Sequence, residues 1–459
     1  MSSFTAIPVL DFSFSRDEST KPAFLDELRR TLLGVGFLYI KNTGIDEDLV
    51  EEVTRLGKAF FDLPESEKMR IDMTNSPCFL GYSRLGNEIT KHATDWREQI
   101  DLATELSAPS PSEPRYRMLR GPNHWPKEEL LPGFRKTFTE YMNQMTELST
   151  KFAGLVAEAI GLPADSFEKY FDSSEESASG TKRQDRTKVI KYPDLGELGE
   201  QATGSQGGER ICLYSLLTSY LLQATDHKGL QVQNYRGDWV DCVPIKGTFV
   251  VAIGQGLEAM TDGICLSTTH RVISPPTGSG PRFSIPFFQG VSFDATFESI
   301  DVPEEVRTLK QEMMRKEGGR KGEIEMTLKK GRFGRLGEAI LINRVKSHPD
   351  VGEKHYPDLL RAVREQEKAE KEQSVNKPGS GNSLGVPTTT VTSEGTTDDA
   401  PTTAQTKGRH RAPTIVVELT PSDQPSYGED PGPDGSIERK EAYEMRKADA
   451  APDVVRVIE

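Results

Sequence analysis

Two residues near the middle of this chain have side chains that could do chemistry together. The stretch THRVISPPTGSGPRFSIPFF (269–288) places His270 at the start of one β-like run and an Arg-x-Ser, Arg282 and Ser284, at the start of the next. Neutral imidazole is a common metal ligand, and a guanidinium grips a carboxylate through two parallel N–H bonds. Together they suit a metal that binds a small dicarboxylic acid. Ser284 lies one alternation beyond Arg282 and shares its face. In a small β-sandwich the two runs read as neighbouring strands, with His270 and Arg282 both directed into the mouth. Isolated histidines near strand ends are more often structural, so the residues that should accompany His270 decide the matter.

An iron centre of the two-histidine, one-carboxylate kind needs a second imidazole and an acid. A His-x-Asp on one strand supplies both, because residues two apart share a face. That strand should lie in GERICLYSLLTSYLLQATDHKGLQV (208–232), yet Ile211, Cys212, Leu213 and Tyr214 include neither histidine nor carboxylate. Asp226 and His227 belong to a turn, TDHKG, ~40 Å further along an extended chain. Glu209 sits in a Gly-rich stretch and reads as a solvated charge. His92 and His124 read as structural, and His348, in SHPD, should cap or follow a helix at 336–346. The cysteines (Cys78, Cys212, Cys242, Cys265) are scattered without a C-x-x-C, which argues against zinc and for a reduced, cytoplasmic chain. In DWREQIDL (95–102), Trp96 and Glu98 alternate as on a strand, and are candidates for an aromatic wall and a polar contact of a substrate pocket. GRFGRLG (331–337) lacks the Lys-Ser/Thr of a phosphate loop and reads as a loop entering a helix.

The elements that must position these residues change along the chain. Residues 1–130 mix strand and helix, with AFLDELRRTLLGVGF at helical spacing and FLYIKNTG as a strand ending in a turn. Residues 131–186 are largely helical, with apolar residues three and four apart in FRKTFTEYMNQMTELSTKFAGLVAEAIG. From 187 to 295 come short β runs (KVIKYP, LLTSYLLQ, LQVQNY, WVDCVPI, TFVVAIG, RFSIPFF) separated by turn signals. That spacing indicates a sandwich or barrel. Helices return within 296–370. From 371 to 459 the chain is rich in Thr, Gly, Pro and Ser, with too little apolar surface to offset its ordering entropy, so a disordered tail is expected. Within it, TIVVEL (414–419) and residues 436–450 could fold on a partner.

A formal net charge of −14 argues against a nucleic-acid partner. No apolar run reaches the ~18–20 residues that span a bilayer, and the N-terminus does not read as a secretory signal. A small-molecule substrate is the expected partner; oligomeric state is not legible.

An ordered series of motifs carries a family likeness. It runs from IPVLDFS (7–13), GFLYIKNTGI (36–45), FFDLPESEK (60–68), DWREQIDL and GPNHWP (121–126) to VIKYPD (189–194) and LLTSYLLQATDHKGLQVQN (216–234). It continues through GDWVDCVPIKGTFVVAIGQGLEAMTDG (237–263), STTHRVISPP (267–276), RFSIPFF and LGEAILINRVKSHPD (336–350). The chain resembles the 2-oxoglutarate/Fe(II)-dependent dioxygenases of the isopenicillin N synthase-like group, especially their fungal iron/ascorbate-type oxidoreductase branch. The resemblance implies a mainly β fold with flanking helices: a double-stranded β-helix (jelly roll) core at 187–295 and an N-terminal α/β region. It implies Fe(II) and 2-oxoglutarate as cofactors, with ascorbate as a possible reductant. It also implies oxidation of a small metabolite by hydroxylation, desaturation or ring closure, as in secondary metabolism. His270 matches the distal iron-ligand histidine, and Arg282 and Ser284 match the Arg-x-Ser that holds the far carboxylate of 2-oxoglutarate. Tyr192 matches a tyrosine that assists there. The His-x-Asp falls at Ile211/Leu213 or Cys212/Tyr214, where two of three ligands are absent. Three readings follow: an oxidoreductase, an inactive relative acting as a binding or regulatory protein, or an enzyme whose gene model is misread at 207–215.

Overall fold

Runs in which every second residue is apolar present one face to a core and the other to a second surface. Here both faces are covered, one by helices and one by a second sheet. In chain order the strands are β1 (Val9–Asp11), β2 (Phe37–Lys41), β3 (Gly81–Ser83), β4 (Ile89–Thr90), β5 (Ala93–Thr94), β6 (Glu98–Ala103) and β7 (Arg186–Tyr192). They continue with β8 (Thr218–Gln223), β9 (Leu230–Gln233), β10 (Trp239–Asp241), β11 (Thr248–Ile253), β12 (His270–Val272) and β13 (Arg282–Phe288). The larger sheet has the order β1-β2-β11-β8-β13-β7-β6-β3, the smaller β10-β9-β12, and β4 pairs with β5. β1 runs parallel to β2, whereas the pairings that build the rest are antiparallel. This is a jelly roll, and its larger sheet reaches beyond 187–295 to take in four strands from the first 103 residues.

The computed structural model describes residues 4–90, 93–171, 183–199, 217–296, 298–317 and 334–375. His92, Glu209, residues 211–214, residues 331–333 and the stretch from 376 on, with TIVVEL and 436–450, lie outside the described residues. One unit of the chain extends to Arg361 and holds all the strands; of the other, the described residues 362–375 finish the helix Pro357–Val375.

Alternation sorts the large sheet cleanly. Leu38, Ile40, Phe249, Val251, Tyr220, Ile285, Phe287, Val189 and Ile100 are buried on the outer face, in one cluster with the helices. The helix Phe134–Ala159 contributes Phe138, Tyr141, Met145 and Phe152, spaced by three, four and seven residues and fully buried. Burying each such side chain is worth about 1.5–3 kcal/mol. Gly57, in the helix Glu47–Phe61, lets that helix lie close on the sheet: a Cβ there would come within 3.0 Å of Val189 and 3.4 Å of Ile285. The alternate residues Tyr39, Val250, Leu221, Ile190 and Tyr192 form a second cluster with Leu230, Val232 and Val272 of the smaller sheet. This interior between the sheets is where the chemistry must sit.

One expectation is corrected here. His270 and Arg282 are not on neighbouring strands: β12 belongs to the smaller sheet and β13 to the larger. They approach the interior from opposite walls.

Candidate active site

Arg282 begins β13 opposite Tyr192 of β7, and Ser284 lies opposite Ile190 on one side and Gln223 on the other. All these positions face the interior. Arg282 is buried, with its guanidinium over the Tyr192 ring at 5.3 Å and Nη2 donating to Gln223 Oε1 at 3.2 Å. Its Nε and Nη1 are also buried and have no hydrogen-bond partner. Burial pulls its pKa below the ordinary guanidinium value, and an arginine side chain stays protonated in proteins. A buried cation with two unpaired donors is destabilising unless an anion completes it. A carboxylate fits those two donors bidentately, so this end of the interior suits 2-oxoglutarate.

Three residues that sequence reasoning did not single out complete this wall. Cys242 lies beside Arg282, and burial pushes its thiol up to about 12. Tyr39, whose hydroxyl donates to the Val243 carbonyl at 2.5 Å, reaches the same thiol. Gly229 has φ +147°, and a Cβ there would lie 2.6 Å from the Ile273 carbonyl and 3.4 Å from Arg282 Cδ. Arg282 therefore crosses the interior to touch the smaller sheet's edge. Gln223 carried a legible signal, a polar residue at an inward position of an apolar strand; Gly229 carried none.

The loop before Arg282 is tied by Asp194, two residues beyond Tyr192. Its Oδ1 accepts from the backbone N–H of Gly196 and Glu197, and its Oδ2 from those of Gly278 and Gly280. His227 Nε2 adds a contact to the Ser279 carbonyl at 2.8 Å. Asp226 and His227 thus belong to the turn between β8 and β9, as expected of TDHKG.

His270 is buried at the start of β12, its ring 5.3 Å from that of Phe37. Nδ1 contacts the Thr268 carbonyl at 3.2 Å, and Nε2 makes no hydrogen bond among the described residues. Burial lowers its pKa to about 4, so the imidazole is neutral and able to ligate through Nε2. Among the described residues no group of three or more His, Cys, Asp and Glu side chains is placed to hold a metal. His270 fits as one ligand of Fe(II); the expected partners at Ile211/Leu213 or Cys212/Tyr214 lie outside the described residues.

Further along the same inner face the wall turns polar. Gln99 and Asp101 of β6, Lys188 and Arg186 of β7, and Glu88 beside them are all buried. Arg97 Nη2 pairs with Glu88 Oε2 at 2.8 Å and Asp95 Oδ2 at 3.1 Å. Burial would raise the Glu88 pKa, but Arg97 and Lys188 more than offset it and hold the carboxyl well below the usual range. Burial draws the Lys188 ammonium down despite Asp101 and Glu88. It also draws Arg186, bonded to the Cys78, Phe79 and Leu119 carbonyls, to about 9. His348 follows the helix Leu336–Ser347, as expected. It is buried, in the field of Glu88 and Lys188, and burial lowers it to about 4.

The candidate pocket residues in DWREQIDL are corrected. Glu98 points to the opposite face, where it pairs with buried Lys68 and accepts from the Tyr82 hydroxyl at 2.7 Å. Trp96 precedes β6 and packs against Gly86, just before the β4–β5 hairpin. The inward residues are the odd-numbered Gln99 and Asp101, one place out of register with the expected pair.

Comparison with known proteins is consistent with this geometry. Residues 7–128 match the family model for the N-terminal region of the non-haem dioxygenase in morphine synthesis. Residues 204–291 match the 2OG-Fe(II) oxygenase superfamily. The chain is 55% identical over 366 residues to the 2-oxoglutarate-dependent dioxygenase frbJ of Dothideomycetidae sp. (strain 11243), covering 79% of this chain and 96% of that protein. It is 38% identical to a 2-oxoglutarate-dependent dioxygenase of Gibberella zeae, covering 80% and 95%. Among solved structures, a full-length Neurospora crassa protein in complex with α-ketoglutarate and thymine superposes with a TM-score of 0.54 at 26% identity, covering 68% of this chain and 97% of that one.

Proposed function

The chain belongs to the 2-oxoglutarate-dependent dioxygenases, oxidoreductases whose cofactors are Fe(II) and 2-oxoglutarate, and from that premise we propose how its own residues serve the reaction. Arg282 holds the far carboxylate of 2-oxoglutarate, with Ser284 beside it and Tyr192 supporting the guanidinium. The observation that carries this is the pair of buried, unpartnered guanidinium nitrogens of Arg282. His270 presents a neutral Nε2 to Fe(II). Held there, Fe(II) would supply activation of O2, the oxidant: one oxygen atom would go to succinate as 2-oxoglutarate loses CO2, and the other to the product on hydroxylation or to water on desaturation or ring closure.

The protein contributes position and exclusion of water. Gln223 fixes one edge of the guanidinium, and Asp194 holds the loop that leads into it. The apolar residues Leu221, Val232, Val250 and Val272 keep that end of the interior dry, which strengthens the charge pairing. The substrate is a small organic molecule oxidised at carbon, by hydroxylation, desaturation or ring closure. It enters alongside the polar stretch of β6 and β7, the part of the inner face that 2-oxoglutarate does not need.

The test is oxygen-dependent conversion of 2-oxoglutarate to succinate by the full-length protein supplied with Fe(II) and ascorbate. Calorimetric titration of 2-oxoglutarate with Mn(II) in place of iron runs alongside it. Stoichiometric binding lost in Arg282→Ala supports the assignment. Binding that persists undiminished in that variant removes it.

A further inference from the structure

The polar stretch of β6 and β7 contains two kinds of contact. The pairs around Arg97 are closed, at 2.8 and 3.1 Å. The set around Asp101 is open. Lys188 Nζ stands 3.4 Å from both Glu88 and Asp101, and Arg344 Nη1 stands 3.6 Å from Asp101. These are ion-pair distances, at or beyond the limit of a hydrogen bond. The Arg344 guanidinium makes no hydrogen bond among the described residues. Gln99 Oε1, Asp101 Oδ1 and His348 Nε2 are buried and likewise without a hydrogen bond, whereas Gln99 Nε2 donates to Glu88 Oε2 at 2.8 Å and to Asp101 Oδ2 at 3.0 Å. A purely structural polar network is normally satisfied throughout, so an open one marks a place that another molecule completes.

Its location supports this. Lys188 lies two alternations along β7 from Tyr192, ~13 Å at the strand's rise per residue. Tyr192, Ile190 and Lys188 therefore line one continuous wall, from the 2-oxoglutarate end to the open set.

We infer that this set binds the polar end of the substrate, and that the substrate is a small α-amino acid, its carboxylate on Arg344 and Lys188 and its amino group on Asp101 and Gln99. The inference rests on the dioxygenase reading above. The Arg344 guanidinium argues for the carboxylate: it makes no hydrogen bond among the described residues, stands 3.6 Å from Asp101, and can grip a carboxylate through two parallel N–H bonds. Hydrogen bonding argues for the amine. Asp101 Oδ1 and Gln99 Oε1, which take no hydrogen bond, can only accept, and an ammonium group donates to both. One small molecule answers both needs when a carboxylate and an amine sit on the same carbon.

The experiment uses the full-length protein with Mn(II) and 2-oxoglutarate, titrated calorimetrically with the twenty standard L-amino acids. For any that bind, the decarboxylated amine and the hydroxy acid with the amino group replaced are titrated in turn. We expect at least one amino acid to bind and both analogues to bind at least tenfold more weakly. Arg344→Gln should weaken the amino acid at least tenfold while leaving 2-oxoglutarate affinity unchanged, with Arg344→Lys in between. If Arg344→Gln does not fold, Asp101→Asn carries the test, by narrowing the gap between the amino acid and its hydroxy analogue. Binding of 2-oxoglutarate with no response to any amino acid overturns the inference and leaves the dioxygenase reading standing. Amino-acid binding indifferent to Arg344→Gln overturns it as well. If 2-oxoglutarate does not bind, the underlying reading fails and the inference with it.

Discussion

Replacing Arg282 with methionine separates a ligand-binding cation from a structural one, because the two roles predict opposite costs. A buried arginine whose donors are all engaged by the protein costs about 3–5 kcal/mol to remove, since its partners are stranded. Arg282 gives one donor to Gln223 and leaves Nε and Nη1 unpaired. Removing it from the ligand-free protein forfeits the Gln223 hydrogen bond, about 1.5 kcal/mol, and the Tyr192 ring contact, about 1 kcal/mol. It also relieves an uncompensated buried charge, and apolar replacement of buried ions gains about 1–4 kcal/mol. The net lies within roughly 2 kcal/mol of zero, so the melting temperature without ligand should move by only a few degrees. With 2-oxoglutarate the cost is one-sided: losing one partner of a desolvated charge pair takes about 2–5 kcal/mol, roughly a 30- to 4,000-fold rise in Kd. Thermal melts of both proteins with and without 2-oxoglutarate and Mn(II), with calorimetric Kd values, read both quantities. A drop worth about 3 kcal/mol or more without ligand, or an unchanged Kd, refutes the reasoning.

Gly229→Ala should lower the melting temperature and weaken 2-oxoglutarate binding together, because the new Cβ meets the Ile273 carbonyl at 2.6 Å; a variant with wild-type Kd counts against the close approach of Arg282 to that edge. Four backbone N–H groups, that of Glu197 foremost, hold the Asp194 carboxyl below its ordinary 3.8. Its stabilisation is therefore present above that pH and lost as pH falls through the lowered value, and Asp194→Asn should flatten that part of the acid-stability curve while raising the KM for 2-oxoglutarate. Of the double substitutions Ile211→His with Leu213→Asp and Cys212→His with Tyr214→Asp, the one whose register faces inward should gain Fe(II) binding and the other none; gain in both or in neither on calorimetric titration counts against a His-x-Asp position in this stretch. A chain ending at Val375 should melt with the full-length protein, since the match to the Dothideomycetidae dioxygenase spans 96% of that protein and only 79% of this one; a clearly lower melting point would show that the removed residues contribute to stability.

Much of the fold was readable because its information is local. Short β-favouring runs bounded by turn signals, such as FLYIK, TSYLLQ, TFVVAI and RFSIPFF, read as strands without knowledge of their neighbours, and each appears as one. Pairing is not local. Nothing in residues 269–288 says that β12 and β13 enter different sheets, because the connection between them carries no topological mark. The expectation that they lie side by side failed for that reason. The same limit hid the extent of the large sheet, whose edges come from the first 103 residues.

At the site, legibility divides by the kind of residue. A motif brings Arg282, Ser284 and Tyr192 to notice in the sequence, and the register puts them on one inner face, with Arg282 directly opposite Tyr192. No motif marks the polar residues of β6 and β7, and their burial shows only once both faces of the strands are known to be covered. Trp96 and Glu98 have the opposite phase to Gln99 and Asp101, and in a strand a one-residue shift of phase exchanges the two faces completely. What decides the phase is which neighbours wait on each side. Lys68 and Tyr82 claim Glu98 for the helical face, while Lys188 and Arg344 stand against Asp101 on the other. Those partners come from positions 30, 16, 87 and 243 residues away in sequence, so only the folded chain brings this polar set together.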